Sequence, residues 1–310
     1  MGWAILILVV GLVLVAGIVS AHTVYPARYE LAAKYHRATG HPLFNGRNLL
    51  SDTHPRVLAA QPVCAGLSIC FVGIVRNVGP HLDRILKLVE SLEPRFARVR
   101  YFLFENDSTD NTVSVLEAWK ALKPGVFEFQ SQVRNEAMPV DFGTHANNRF
   151  VRMAAYRNEY VRWLRSLAEK PDYVAVVDWD LAGGFDTNGF VAAFEDPQNW
   201  DVLCANGVCC LEGKYYDPVA FADVEWRRVK GHTGKESKAK FCARPDASPK
   251  THKRILVRSA FAGLAIYRAA LFDAFDYSPE DPVDCEHLML HRKFPAETRV
   301  FMDSQLYLVR

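Results

Sequence analysis

An α/β fold with a mostly parallel central sheet, flanked by helices, is the expectation for this chain of 310 residues. Two observations carry it. Apolar runs of strand length recur and end in polar clusters, as in LSICFVGIVRN, VRYFLFEND and YVAVVDWD, and the stretches between them have the apolar spacing of a surface helix. Strands alternating with helices in short order favour parallel pairing, because a helix is the usual crossover between parallel strands. No internal repeat competes with this pattern.

From the N-terminus, Trp3 to Ala21 carries no charged side chain. At about 1.5 Å per residue it nearly spans a hydrocarbon core of about 30 Å. Residues 1–22 are therefore expected to be an N-terminal transmembrane helix, in contact with the lipid bilayer, of a single-pass membrane protein. A cleaved signal peptide is the alternative, since VSA resembles a small-residue cleavage site. Arg28, Lys34 and His36 follow the stretch, which favours a cytoplasmic position for the folded part over the Golgi lumen. Residues 23–63 read as a neck and linker, and residues 64–310 as a single domain with halves 64–186 and 187–310.

Within that domain, LSICFVGIVRN predicts the first strand and HLDRILKLVESL the first helix, with Leu82, Ile85, Leu86 and Val89 on one face. VRYFLFEND is a second strand, VSVLEAWKAL a second helix, VFEFQ a third strand, and RFVRMAAYRNEYVRWLRSLAEK a long helix leading into YVAVVD. WDVLCANGV and RVFMDSQLYLVR predict later strands, and CEHLMLHRKF a late helix. The basic stretch from Arg227 to Arg254, rich in Gly, Ser and Pro, reads as a loop.

Composition narrows the function. A net charge of +2 with Lys and Arg spread along the chain gives no reason to expect a nucleic-acid partner. Seven cysteines follow no disulfide or zinc spacing and suit a reducing compartment. Neither a G-x-G-x-x-G nor a P-loop motif is present, which argues against a dinucleotide oxidoreductase or a P-loop enzyme.

The strand ends are where the chemistry concentrates. Asp178 and Asp180 stand where an apolar run leaves the core, and a carboxylate there is costly unless it meets solvent, a donor or a cation. If the chain bends after Asp178, the pair can hold a hard divalent ion, which would neutralise the phosphates of a nucleotide donor. A solvated turn is the plain alternative. Ligands of open parallel sheets gather beyond the carboxyl ends of the strands. That edge would bring Arg76 and Asn77 of the first strand together with Glu105 to Asp110 of the second. Asn106, Asp107, Ser108, Thr109 and Asp110 can bind ribose hydroxyls or a base, or simply form a turn and cap the next helix. On the long helix Arg149, Arg152 and Arg157 cannot share one face; Arg157 with Asn158, then Arg152, are the candidates for phosphate, against ordinary ion pairing.

The succession FVGIVRN, FLFENDSTDNT, RFVRMAAYRNEY, VAVVDWDL, WDVLCANG, SAFAGLAIYR and CEHLMLHR is similar to that of glycosyltransferases of the GT-A type. It resembles in particular the fungal capsule-associated (CAP59-like) mannosyltransferases and their viral and bacterial relatives, over roughly residues 67 to 310. The resemblance implies a GT-A fold with a Rossmann-like sheet, a nucleotide-sugar-binding half at 64–186 and an acceptor-binding half at 187–310. It places Mn2+ or Mg2+ on Asp178 and Asp180, with a late histidine, His287 or His291, completing the coordination. Glu105, Asp107 and Asp110, with Arg76, Asn77, Arg152 and Arg157, would face the nucleotide sugar, for which GDP-mannose is the suggested donor. The acceptor would be a glycan or glycoconjugate hydroxyl.

Tyr215, Tyr216 and Asp217 form an aromatic, acidic segment suited to a sugar, although core packing explains the tyrosines as well. Gly263 could let backbone approach either sugar, and Asp303 is a weaker site candidate. A base on the acceptor side could be Asp217, Glu286 or Asp186. Inversion and retention stay open, as do two rival classes: a nucleotidyltransferase using the same acids, and a non-catalytic membrane-anchored sugar-binding protein.

Overall fold

The computed structural model describes residues 34–135, 146–209, 215–227, 250–277 and 284–310. A 3-10 turn at Pro42–Asn45 precedes α1 (Pro55–Cys64), β1 (Ser68–Val75), α2 (Gly79–Glu90), β2 (Arg98–Asn106), α3 (Thr112–Leu122), β3 (Phe127–Gln132), α4 (Ala146–Ser166) and β4 (Tyr173–Val177). Then come β5 (Gly184–Phe185), α5 (Thr187–Ala192), β6 (Val202–Val208), β7 (Arg254–Val257), β8 (Leu264–Arg268), α6 (Ala270–Ala274), α7 (Glu286–Arg292) and β9 (Val300–Val309).

Strand alternation builds two cores from one sheet. In β1, Ile69 and Phe71 pack with Leu82, Ile85 and Leu86 of α2, whereas Cys70 and Val72 point to the other face and pack with Tyr156, Tyr160 and Val161 of α4. β4 repeats the division, with Tyr173, Ala175 and Val177 on the first face and Val174 and Val176 on the second. Burial on both faces explains why these strands read as unbroken apolar runs. Each buried Val, Leu, Ile or Phe among them contributes roughly 1.5–3 kcal/mol through its removal from water.

The strand order is β3-β2-β1-β4-β8-β6-β9-β5, with β7 added against β9. The half built from β3, β2, β1 and β4 is parallel throughout. Past β4 the sheet is mixed: β8 is antiparallel to both β4 and β6, β6 is parallel to β9, and β5 and β7 are antiparallel to β9. The expectation of a mostly parallel sheet therefore holds for the first half alone. The second half carries long connections, which let strands return in either direction.

Two further expectations are corrected. No helix among the described residues is long and apolar enough to cross a membrane, which overturns the reading as a single-pass membrane protein; the stretch Trp3 to Ala21 itself lies outside the described residues. Nor is the segment up to residue 63 only a polar neck. Leu50, Val57 and Ala60 belong to the main core, and Arg56 is buried, donating to Glu195 (2.7 Å), Asp303 (3.1 Å) and Gln305. Its partners lie on average well over a hundred positions away, so α1 is part of the domain.

Candidate functional site

Parallel register places the carboxyl ends of β1, β2 and β4 on one edge: Val75 pairs with Glu105, and Val72 with Val176. Just beyond β4 the D-W-D segment keeps the alternation of the strand. Trp179 turns to the α2 face, is 1% exposed, and crosses above Gly73, where an added Cβ would lie 2.2 Å from its Nε1. Asp178 and Asp180 take the alternate positions, so seating the tryptophan leaves both acids away from the α2 core.

Asp178 meets a buried cluster. Tyr216 donates its hydroxyl to Asp178 Oδ2 (3.2 Å), and Arg157 Nη2 lies 3.9 Å from Oδ1. Arg157 is 2% exposed; its Nε donates to Glu286 Oε1 (3.1 Å), and its guanidinium packs against the rings of Phe261 and Tyr277. Arg157 Nη1 is buried with no hydrogen-bond partner among the described residues. Asp180 pairs with Arg310, whose guanidinium lies 4.6 Å from the centre of the Tyr216 ring.

The electrostatics show strain between like charges. Burial and then the charge of Asp180 push Asp178 up to about 6, although Arg310 and Arg157 pull the other way. Burial, followed by Asp178 and Glu286, lifts Asp217 well above the carboxylate range, and its backbone is in the left-handed region at φ 63°. Burial opposes charge on Arg157, yet Tyr160, Glu286, Tyr277 and Asp178 hold its pKa well above the ordinary value.

His287 is 1% exposed and stacks on Phe261 with ring centres 3.7 Å apart. Neither of its ring nitrogens has a hydrogen-bond partner among the described residues; burial, then Arg157 and His291, keeps it neutral. His291 is different. Its ring nitrogens meet the hydroxyls of Tyr267 and Ser259, each at 3.0 Å, so it serves the core.

The other candidates separate into those that face the edge and those consumed by structure. Asp186 is fully buried and accepts from the backbone amides of Leu49 (2.7 Å), Leu50 (3.1 Å) and Gly189 (2.8 Å). It caps α5, and its proposed part as a base is corrected: its oxygens are already engaged. Asp110 accepts from Gly79 N (3.0 Å) and Thr112 N (2.9 Å), joining the starts of α2 and α3. Asn77 accepts from Thr109 N (2.7 Å), and Glu105 from Ser108 N (2.8 Å) and the Ser131 hydroxyl. Asp107 accepts from the backbone amides of Arg134 (2.7 Å) and Asn135 (2.9 Å). These groups shape the loops of the edge and leave little capacity for direct contact. Arg76 and Arg152 are half-buried. Asp303 is held by Arg56, Arg254 and His252, away from the strand-end cluster.

Residues not anticipated from sequence are Arg134, Tyr216 in its contact with Asp178, and Arg310. Arg134 stacks over Phe104 and Tyr156 and donates to Glu159 (3.0 Å). Its position at the end of β3, the third strand of the same edge, was the available signal.

Asp178 and Asp180 offer the oxygen donors that Mn2+ or Mg2+ accepts, and the repulsion raising Asp178 is the kind a cation relieves. The expected triad with His287 is corrected: among the described residues no group of three His, Cys, Asp or Glu side chains is gathered to hold a metal.

No family model and no curated protein matches the chain. Among solved structures it is similar to S. aureus TarS 1-349 in complex with UDP-GlcNAc, with a TM-score of 0.46 and 15% identity, covering 79% of this chain and 59% of that one. The mannosyltransferase PcManGT from Pyrobaculum calidifontis, in complex with GDP-Man and Mn2+, gives 0.44 at 10% identity, over 94% of this chain and 68% of that one. GalNAc-T7 with UDP, GalNAc and Mn2+ gives 0.48 at 11% identity, over 79% and 44%. The chain spans about 60% of the length of the TarS 1-349 structures. Likeness at this level leaves the functional reading to the chain's own residues.

Proposed function

We propose that the chain is a metal-dependent glycosyltransferase of the GT-A type, transferring a hexose from a nucleotide sugar to a hydroxyl of a glycan or glycoconjugate, with GDP-mannose as the first donor to test. The observation that supports it most is the buried guanidinium of Arg157, with Nη1 unpartnered among the described residues, beside Asp178 at the carboxyl edge of the sheet. A buried donor without a partner is costly, and an anionic group of a ligand would complete it.

In this reading Arg157 binds a phosphate oxygen of the donor, and Glu286 and the rings of Phe261 and Tyr277 hold its guanidinium in place. Asp178 and Asp180 would hold Mn2+ or Mg2+, which supplies neutralising charge for the departing diphosphate. Tyr216 orients Asp178. Asp217 is our choice for the base that takes the acceptor hydroxyl's proton, because Asp186 is spent on backbone amides and Glu286 on Arg157. Direct displacement by an acceptor deprotonated there would invert the anomeric carbon.

The test is turnover by the full chain against a panel of nucleotide sugars, with and without Mn2+, in the wild type and in Asp178→Asn with Asp180→Asn. Release of a nucleoside diphosphate that needs both metal and the two acids is expected. Release of pyrophosphate instead would make the protein a nucleotidyltransferase, and saturable binding without turnover would make it a sugar-binding protein.

A further inference from the structure

Away from the strand-end cluster, a cavity of about 420 Å³ opens between the segment after the Pro42–Asn45 turn, the solvent side of α2 and the start of α5. None of Asp178, Asp180, Arg157, Asp217 or Glu286 lines it. Four cations do: Arg47, Arg84, Lys87 and Arg95, with Asp52 the only acid in the lining.

Those charges are unevenly matched. Asp52 pairs with Arg95 (3.4 Å) and also accepts from Asn188 (3.1 Å), while Lys87 pairs with Asp83 on its own helix (2.7 Å). Arg47 has no side-chain partner among the described residues. Arg84 is half-buried and donates only to the carbonyl of Leu181, a neutral acceptor; among the described residues no carboxylate forms an ion pair with it. Burial, then the neighbouring charge of Arg37, pushes Arg84 down to about 10. A guanidinium drawn into a cavity beside other cations and left without an acid is stabilised by an anion with several acceptor oxygens.

We propose that this cavity is a binding site for a phosphoryl group, with Arg47 and Arg84 as its main contacts and Lys87 and Arg95 as supporting charge. The tetrahedral oxygens of a phosphate or diphosphate can engage two guanidinium forks together, which a lone carboxylate does less well. Neighbouring Asn48, whose side-chain oxygen accepts from Thr187, adds an amide donor suited to a sugar or alcohol attached to that phosphate. A short stretch of chain joins the site to the D-W-D segment. Leu181, whose carbonyl Arg84 holds, follows Asp180 directly, and Gly183 and Phe185 line the cavity itself. The proposal does not rest on the transferase reading.

The experiment is calorimetric titration and thermal unfolding of the full chain in EDTA at constant ionic strength, using inorganic phosphate, pyrophosphate and glucose 6-phosphate as probes. Saturable binding that raises Tm is expected. Arg47→Gln with Arg84→Gln should weaken it by roughly tenfold or more, as loss of charge-assisted contacts does. Because Arg84 also holds a backbone carbonyl, the exposed pair Arg47→Gln with Lys87→Gln provides a second variant free of that contact, and it too should weaken binding. Asp178→Asn with Asp180→Asn should leave it intact. A stronger response to glucose 6-phosphate than to phosphate would identify a phosphorylated glycan as the source, and an equal response the free ion. Absence of saturable binding by any probe would overturn the proposal, as would binding indifferent to both cavity variants.

Discussion

Two buried charge clusters sit at different places on this sheet, and they are built to opposite rules. Around Asp303, Arg56 and Arg254 donate to the same carboxylate oxygen, His252 approaches it, and each arginine has further acceptors in Glu195, Asp196 or Ala193. Opposite charges alternate, and the carboxyl of Asp303 is drawn well below its usual range despite its burial. Around Arg157, by contrast, Asp178, Asp217 and Glu286 crowd one cation, the carboxyls of Asp178 and Asp217 rise, and buried nitrogens of Arg157 and His287 lack hydrogen-bond partners among the described residues. A satisfied cluster ties distant segments together. An unsatisfied one keeps interaction capacity for something that arrives from outside.

That contrast can be broken most sharply at Arg157. Arg157→Gln should lower kcat/KM per folded molecule by at least about 100-fold through loss of a preorganised charge, beyond the fall in Tm that unpairing buried Glu286 brings, measured by steady-state turnover beside thermal unfolding. A large loss of folding with activity per folded molecule preserved would place Arg157 with the structural cluster. Asp303→Asn tests the other side. It leaves two arginines short of a buried carboxylate and should cost about 3 kcal/mol in denaturant unfolding, while turnover per folded molecule stays near that of the wild type.

The pH dependence follows with its sign. Because Asp303 has a folded-state pKa below that of the unfolded chain, it contributes stability at pH above the unfolded value near ~4. That contribution is lost as pH falls further. Acid titration of unfolding free energy should therefore show a steep fall below about pH 4 in the wild type and a shallower one in Asp303→Asn. The smallest effect is expected at the helix cap. Asp186→Ala removes the acceptor for three backbone amides and should cost on the order of 2 kcal/mol, without altering the metal dependence of turnover.

The first half of the fold was legible because its physics is local. Strand runs such as SICFVGIV are apolar on both faces, Leu82, Ile85 and Leu86 mark the buried stripe of α2, and parallel register then delivers Asp178 to the edge. The mixed second half was not legible, since the return of β8 and β9 depends on connections that carry no periodic signal. Asp186 misled because an acid soon after a strand looks alike as a cap or a base; its place immediately before the helical run Thr187 to Ala192 was the sign of a cap. Arg56 and Arg310 could not be assigned at all, because their acidic partners lie more than a hundred positions away. Local pattern locates strand ends, whereas ion pairing across the sheet is set only once the chain has folded.

Trp179 gives the strand-end cluster an optical readout. Its indole is buried over Gly73, bracketed in sequence by Asp178 and Asp180, so the local field on the ring changes whenever the charge on either acid changes. Cation capture there would shift the emission of this one fluorophore, and subtracting the spectrum of Trp179→Phe isolates it from the chain's other five tryptophans. Occupancy of the site could then be followed in real time, with no label attached.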